Sequence, residues 1–439
     1  MPSTTRTTAS RPATGRHTPE PAPEPAPAPT TPLWWIWLAA WPVTAVFVLS
    51  NAATPLYVLW QHDIGFSKGT LTVVFAFYIV GLIGSLLVSG VLSDRVGRKP
   101  VLLPALALGL AACLIFGTAT SVAALITARL FTGIAVGAVV SAGMAAVTDV
   151  AGPERRRTAA LLASCAMVFG AGLGPLLAGL LSELAPAPTT TVFAIEAVLL
   201  ASAVLVVLRM PLPVPPTRTP GTPETPRTPG TPGTPARGSW IRIPGVPRGN
   251  GRRLALGIAV FAPGITATSF VLSLGPSLLS GLLGTTNRIV AGATAFVMFL
   301  AATGVQFAVQ RLRRRTILAA GAATTALSMV ALVTAVRTEA VAVLVLAALL
   351  AGAGQGMGQL GGLSLLNAGI PPQRLAEANA ALNVGGYLPA GLLPVSAGYL
   401  SDAVGLTSGA TIFGAVLLVL AVLGGLLVLT TRREVTDPA

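Results

Sequence analysis

The sequence predicts an all-α integral membrane protein, with twelve transmembrane helices arranged as two six-helix bundles. Three observations predict it. Mean hydropathy is +0.78 and only 10% of residues are charged, against roughly 25% in a soluble domain. The 439 residues accommodate about twelve apolar spans of ~20 residues with their loops. Residues 209–253 interrupt the apolar pattern and leave a comparable run of spans on each side.

The net charge of +14 invites a nucleic-acid reading, but its distribution argues against one. All but four of the 28 Lys and Arg residues fall in tails, linker and loops on one side of the predicted membrane. Lys68, Arg288 and Arg337 lie on the other side, and Arg129 lies within a span. This asymmetry is the positive-inside rule, so both termini are expected in the cytoplasm. The Arg-dominated, Ala-, Gly- and Pro-rich composition suggests a bacterial inner membrane. Cys113 and Cys165 both lie in apolar runs and read as small core residues. There is no disulfide framework, metal-ligand spacing, P-loop or nucleophile–base pair, so no metal, cofactor or enzymatic activity is expected. The N-terminus lacks a signal-peptide pattern.

Residues 1–32, rich in Pro, Thr and Ala, cannot bury a core and are expected to be disordered. Residues 33–208 form the first bundle, with helices over 34–59, 71–93, 101–119, 122–148, 159–184 and 191–207. Trp34, Trp35, Trp37 and Trp41 suit the inner interface and Trp60 the outer one. Pro55 loosens the outer third of the first helix. An inner loop with Glu154, Arg155, Arg156 and Arg157 follows the fourth. Residues 209–253 are a cytoplasmic linker. Its Thr-Pro repeat over 219–235 predicts a polyproline rod of roughly 50 Å. Residues 254–430 repeat the plan, with helices over 254–282, 289–309, 316–336, 341–366, 377–400 and 410–429. A short cytoplasmic tail, 431–439, ends the chain.

Ten residues between the second and third helices carry the most specific pattern: Gly90-Val91-Leu92-Ser93-Asp94-Arg95-Val96-Gly97-Arg98-Lys99. Any inner loop favours Arg and Lys, but that preference does not account for Gly, Asp, Arg and Gly at these spacings. The stretch resembles the G-x-L-[AS]-D-R-x-G-R-[RK] signature of the major facilitator superfamily, in the loop where that family carries it. The resemblance implies two bundles rocking about a central site. It also implies a charge network of Asp94, Arg98 and Asp149 that, with Gly90, Arg95, Gly97 and Lys99, acts as a conformational gate. Arg129-Leu-Phe-Thr-Gly133 resembles the family's R-x-x-Q-G motif, with Thr132 in place of Gln. Gly170, Gly174, Pro175 and Gly179 resemble the helix-5 pattern of its proton-coupled antiporters. In the second half, residues 311–315 keep the charge of the signature but lack its Asp and Gly.

A charge at a helix centre costs roughly 2.5–3.5 kcal/mol on insertion scales, so Arg129 and Glu196 are functional candidates. Asn51 falls near their depth, which allows a polar cluster. Three readings of the pair stand. Glu196 neutralises Arg129, or each satisfies nearby helix backbone; Glu196 binds and releases a proton beside Arg129; or Arg129 attracts an anionic substrate group. Gln355 and Gln359 share one face of the tenth helix, and Asn379, Asn383 and Tyr387 one face of the eleventh. Each face serves either as an interhelical seam or as pocket lining. Phe47, Phe261 and Phe270 either offer apolar contacts to a hydrophobic substrate or, as is commoner for a single aromatic, pack in the core.

The function expected is secondary active transport by alternating access: proton-driven efflux of small hydrophobic compounds, by a monomer, across a lipid bilayer. Two alternatives remain open at this point. One is a uniporter or proton symporter for a small metabolite or anion. The other is a receptor or assembly partner that moves nothing.

Overall fold

A computed structural model describes residues 32–212, 244–281, 284, 287–371 and 374–431. Residues 1–31 of the expected disordered tail, the linker's Thr-Pro repeat over 219–235 and the last eight residues lie outside the described residues. Ten helical runs are long and apolar enough to cross a membrane. One of them, Val122–Leu184, has 63 residues and is two helices broken at Gly152, whose φ of 73° only glycine adopts without strain. A further helix, Leu375–Val404, is as long as the others, but Asn379, Asn383, Tyr387, Pro389 and Pro394 dilute its hydropathy.

Twelve long helices result among the described residues. In the first half they are α1 (Leu33–Gly65), α2 (Lys68–Val96), α3 (Lys99–Gly117), α4 (122–151), α5 (153–184) and α6 (Pro188–Arg209). In the second they are α7 (Gly251–Gly281), α8 (Arg288–Val309), α9 (Arg314–Thr338), α10 (Val341–Gly369), α11 (Leu375–Val404) and α12 (Leu406–Thr430). Alternation puts the start of α1, the end of α6, the start of α7 and the end of α12 on one face, the terminal face; the other is the far face. In α1, Pro55 lies in a 3₁₀ turn over Thr54–Leu56.

The two halves are built alike. Gly133 and Gly137 of α4 press on the backbone of Tyr78 and Leu82 in α2; Gly352 and Gly356 of α10 press on that of Met298 and Ala302 in α8. Both pairs have the i, i+4 spacing that lets helix backbones touch. Each half also closes its last helix with a cation. Lys99 Nζ donates to the Leu208 carbonyl at 2.9 Å, and Arg315 Nη2 donates to the Leu429 carbonyl at 2.7 Å. A positive charge on the orphan carbonyls of a helix C-terminus is favourable.

The halves meet in three seams at the far face. In the first, α5 lies on α8: Gly172 faces Phe296, Pro175 faces Gly292, and Gly179 faces the Arg288 carbonyl. In the second, α2 lies on α11, with Gly69 against the Tyr399 ring, Thr72 against Gly398 and Ile79 against Gly391. The third is polar: Ser277 of α7 donates to Gln61 of α1 at 3.1 Å. Consequently residues 45–57 of α1 and 260–279 of α7 are buried without a break. Toward the terminal face this all-round burial ends. On α5, Leu161, Cys165 and Phe169 continue the stripe that carries Gly172 and Gly179, yet all three are exposed. The halves therefore part toward the terminal face.

Three expectations are corrected here. Cys165 is exposed rather than core, because α8 covers that stripe only from Gly172 outward; Cys113 is buried. Trp60 is not an interface anchor: it is buried and stacks on Phe116 and Phe193 at 5.6 and 6.0 Å. A third concerns the loop expected after Asp149, which is helix on both sides of Gly152, with Pro153 in the first turn of α5.

Candidate functional site

The signature residues come together at the terminal face. Gly97 ends α2 with φ 98°, a turn open to glycine. This swings Arg98 back over the end of α2. Its Nη1 donates to Asp94 Oδ1 at 2.7 Å and to Ser93 Oγ at 2.8 Å, and its Nε donates to Asp149 Oδ2 at 2.9 Å. One guanidinium thus ties α2 to the end of α4. Partial burial disfavours its charge, but the bonds to Asp149 and Asp94 outweigh that and hold its pKa above the ordinary arginine value. Lys99 extends the network to α6, as described above, and Gly90 is buried in α2. All these contacts lie within the first half.

Arg129 and Glu196 do not come together. Arg129, fully buried, donates from Nη1 to the Ser50 carbonyl at 2.7 Å. Its Cζ lies 5.0–5.9 Å from the ring centroids of Tyr57, Phe75, Tyr78 and Phe116. Rings at that range attract a cation by about 0.5–2 kcal/mol each, which offsets desolvation. Among the described residues, Nε and Nη2 have no hydrogen-bond partner. Asn51 shares the junction: its Nδ2 donates to Ser50 Oγ at 3.0 Å and to the Ala171 carbonyl of α5 at 3.4 Å. Glu196 is buried in α6, facing Cys113 of α3, and its Oε2 is unpartnered. Of the readings of this pair, neutralisation of Arg129 by Glu196 is not met, and Arg129 satisfies the backbone of α1 instead. The reason is helix rotation: depth along a helix is legible from residue count, but the direction a side chain faces is not.

The helix-5 glycines serve two neighbours. Gly170 and Gly174 face the Thr44 and Val48 carbonyls of α1, while Pro175 and Gly179 face α8 of the other half. A Cβ at either of the first two would drive into α1 backbone, so the array lets α5 pack closely on both sides.

The remaining candidates, Phe47, Phe261, Gln355, Gln359, Asn379, Asn383 and Tyr387, are uncharged. Phe261 of α7 is buried and meets the Tyr387 ring edge-on at 6.4 Å. Gln355, half-buried in α10, crosses α7 at Gly264 and keeps an unpartnered Oε1. Gln359, Asn379 and Asn383 are half-buried toward the terminal face, and the Asn379 Oδ1 is unpartnered. Phe47 is 8% exposed beside Gly170. Phe270 is no cavity residue: it stacks on Phe413 of α12 at 4.1 Å in the core of the second half.

Sequence reasoning missed two carboxylates at the far face. Asp402, in the last turn of α11, accepts the Lys68 N–H at 3.0 Å and the Gly69 N–H at 2.8 Å. Glu183, in the last turn of α5, accepts the Arg288 N–H at 2.8 Å and its Nε–H at 2.9 Å. The available signal was that Lys68 and Arg288 are two of the three basic residues on the wrong side for the positive-inside rule.

The sequence profile of the Major Facilitator Superfamily matches residues 36–309. The chain belongs to this superfamily. That superfamily is one of membrane transporters, not enzymes, and this chain shares its multi-pass helical architecture. Two curated relatives align over part of the chain. One is the 3-(3-hydroxy-phenyl)propionate transporter of Escherichia coli K12, 39% identical over 109 residues, covering 24% of this chain and 26% of the relative. The other is the cephamycin export protein CmcT of Amycolatopsis lactamdurans, 37% identical over 125 residues, covering 28% and 26%. The alignments thus span about a quarter of each relative. Among solved structures, a bacterial homolog of the human lysosomal transporter Spinster, inward-facing and unoccupied, superposes with a TM-score of 0.70 at 14% identity, covering 92% of this chain and 98% of that one. A D-xylose-proton symporter gives 0.64 at 18%, covering 89% and 97%. At these identities the likeness concerns the fold.

Proposed function

We propose that this superfamily member exports small, mostly apolar, uncharged compounds from the terminal face to the far face, drawing on a proton gradient. The terminal face is the cytoplasmic one, by the positive-inside asymmetry. The observation that carries the substrate class is that the aromatic and amide candidates Phe47, Phe261, Gln355 and Tyr387 are uncharged, while Arg129 is bound to α1 backbone. Aromatic surface there suits an apolar solute, and the free Gln355 carbonyl oxygen offers one hydrogen bond for orientation. The two-sided helix-5 glycine array and the partial likeness to a cephamycin exporter support outward direction. A second reading, proton-coupled movement of a small aromatic acid, draws on the likeness to the hydroxyphenylpropionate transporter and on the two free donors of Arg129.

Liposomes holding a pH-sensitive dye and an imposed pH gradient test both. Neutral lipophilic drugs and small aromatic acids are added one at a time. Export of neutral compounds predicts drug-dependent collapse of the gradient that survives Glu196→Gln, because that residue lies between α3 and α6. Collapse by acids alone, abolished by Arg129→Ala, selects the second reading. Loss of drug-dependent collapse in Glu196→Gln would return the coupling proton to Glu196.

A further inference from the structure

The far-face carboxylates form a matched pair. In the internal repeat, α5 corresponds to α11 and α8 to α2. Glu183 closes the last turn of α5 and caps the first turn of α8; Asp402 closes the last turn of α11 and caps the first turn of α2. Each carboxylate is misplaced on its own helix, where the C-terminal dipole end repels negative charge. Each is well placed for the N-terminal amides of a helix in the other half. Each is also paired with a basic residue at that helix start: Arg288 Nε is 2.9 Å from Glu183, and Lys68 acts on Asp402. An arrangement unfavourable within each half and favourable only across them reports on the state in which the halves touch.

We propose that Asp402 and Glu183 are the positioning residues that hold the far face shut, each by capping a helix of the opposite half. They set the equilibrium between the two access states without touching the transported molecule. The inference needs alternating access but neither the substrate class nor the coupling proposed above.

The test uses the full-length protein in lipid nanodiscs, without substrate. In a Cys165→Ser background, Ser277→Cys places a reporter thiol at the far-face α1–α7 contact, where Ser277 is 5% exposed. Its alkylation by a hydrophilic maleimide follows the population in which the halves separate there. Removing one N-cap of ~1 kcal/mol shifts an equilibrium by about five-fold. Asp402→Asn and Glu183→Gln are therefore each expected to raise the labelling rate about five-fold. The double variant should raise it by about thirty-fold, if the two act independently. Asp63→Asn, an exposed far-face carboxylate paired among the described residues with its neighbour His62, should leave the rate unchanged. Equal rates in wild type and both single variants would overturn the proposal, as would an equal rise with Asp63→Asn. If the double variant does not fold, the single variants decide by the same criterion.

Discussion

Arg129 is a charge held by π faces and one carbonyl rather than by a carboxylate. Removing it leaves the Ser50 oxygen without its donor and opens a void among four aromatic rings. Arg129→Ala should therefore lower stability by about 3 kcal/mol, the sum of a buried cavity and a lost charge-assisted hydrogen bond. Thermal unfolding in detergent reads this. Arg129→Lys should recover little, because an ammonium lacks the planar fork that meets rings and carbonyl together. Asp402 carries the pH dependence. Burial alone would raise its pKa, but the hydroxyl and amide donors of Ser67, Gly69 and Lys68, with the Lys68 charge, hold it below the usual carboxylate value. A depressed value means its contribution is complete above the ordinary aspartate pKa and disappears as pH falls through the depressed one. Spin labels on the start of α2 and the end of α11 should move apart over that acidic window, and should not do so in Asp402→Asn.

At the scale of the element, α5 separates stability from conformational balance. A Cβ at Gly174 meets the Val48 carbonyl inside the first half, whereas a Cβ at Gly179 lies 2.5 Å from the Arg288 carbonyl across the halves. Gly174→Ala should lower the melting temperature. Gly179→Ala should leave it nearly unchanged and raise far-face labelling at Ser277→Cys. Gly152→Ala should cost roughly 1–2 kcal/mol, because a non-glycine residue is strained at φ 73°. The helices themselves were legible from hydropathy, and the signature loop was legible because its glycines and charges are local. The facing of individual residues was not. Helices that are apolar all round carry no stripe to read, so Trp60 and Cys165 lie in environments other than those expected, and only the structure decides for Phe270 between substrate contact and core. Glu196 was set beside Arg129 for the same reason. The Asp402 caps span more than three hundred residues of sequence, and no spacing rule reaches that far.

Across the whole molecule, the exposed stripe of Leu161, Cys165 and Phe169 marks the face that α8 would cover if the halves closed on the terminal side. Cys165 is thus a native probe of that side. Its alkylation should slow in any variant that opens the far face, while buried Cys113 stays unreactive in both states. Mass spectrometry of peptides from labelled protein distinguishes the two thiols.

The break between α4 and α5 amounts to a single glycine, and this joins regions that otherwise share no contact. Thirty-two residues of helix after Gly152 make a strut of about 48 Å, with Glu183 near its distant tip and Asp149 just beyond its foot. No slack loop absorbs rotation at that foot. Tilting of the strut as α8 is released is therefore delivered to Asp149, and through Arg98 to α2 and α3. The lock on one surface of the bilayer and the charged knot on the other behave as opposite arms of one rigid lever.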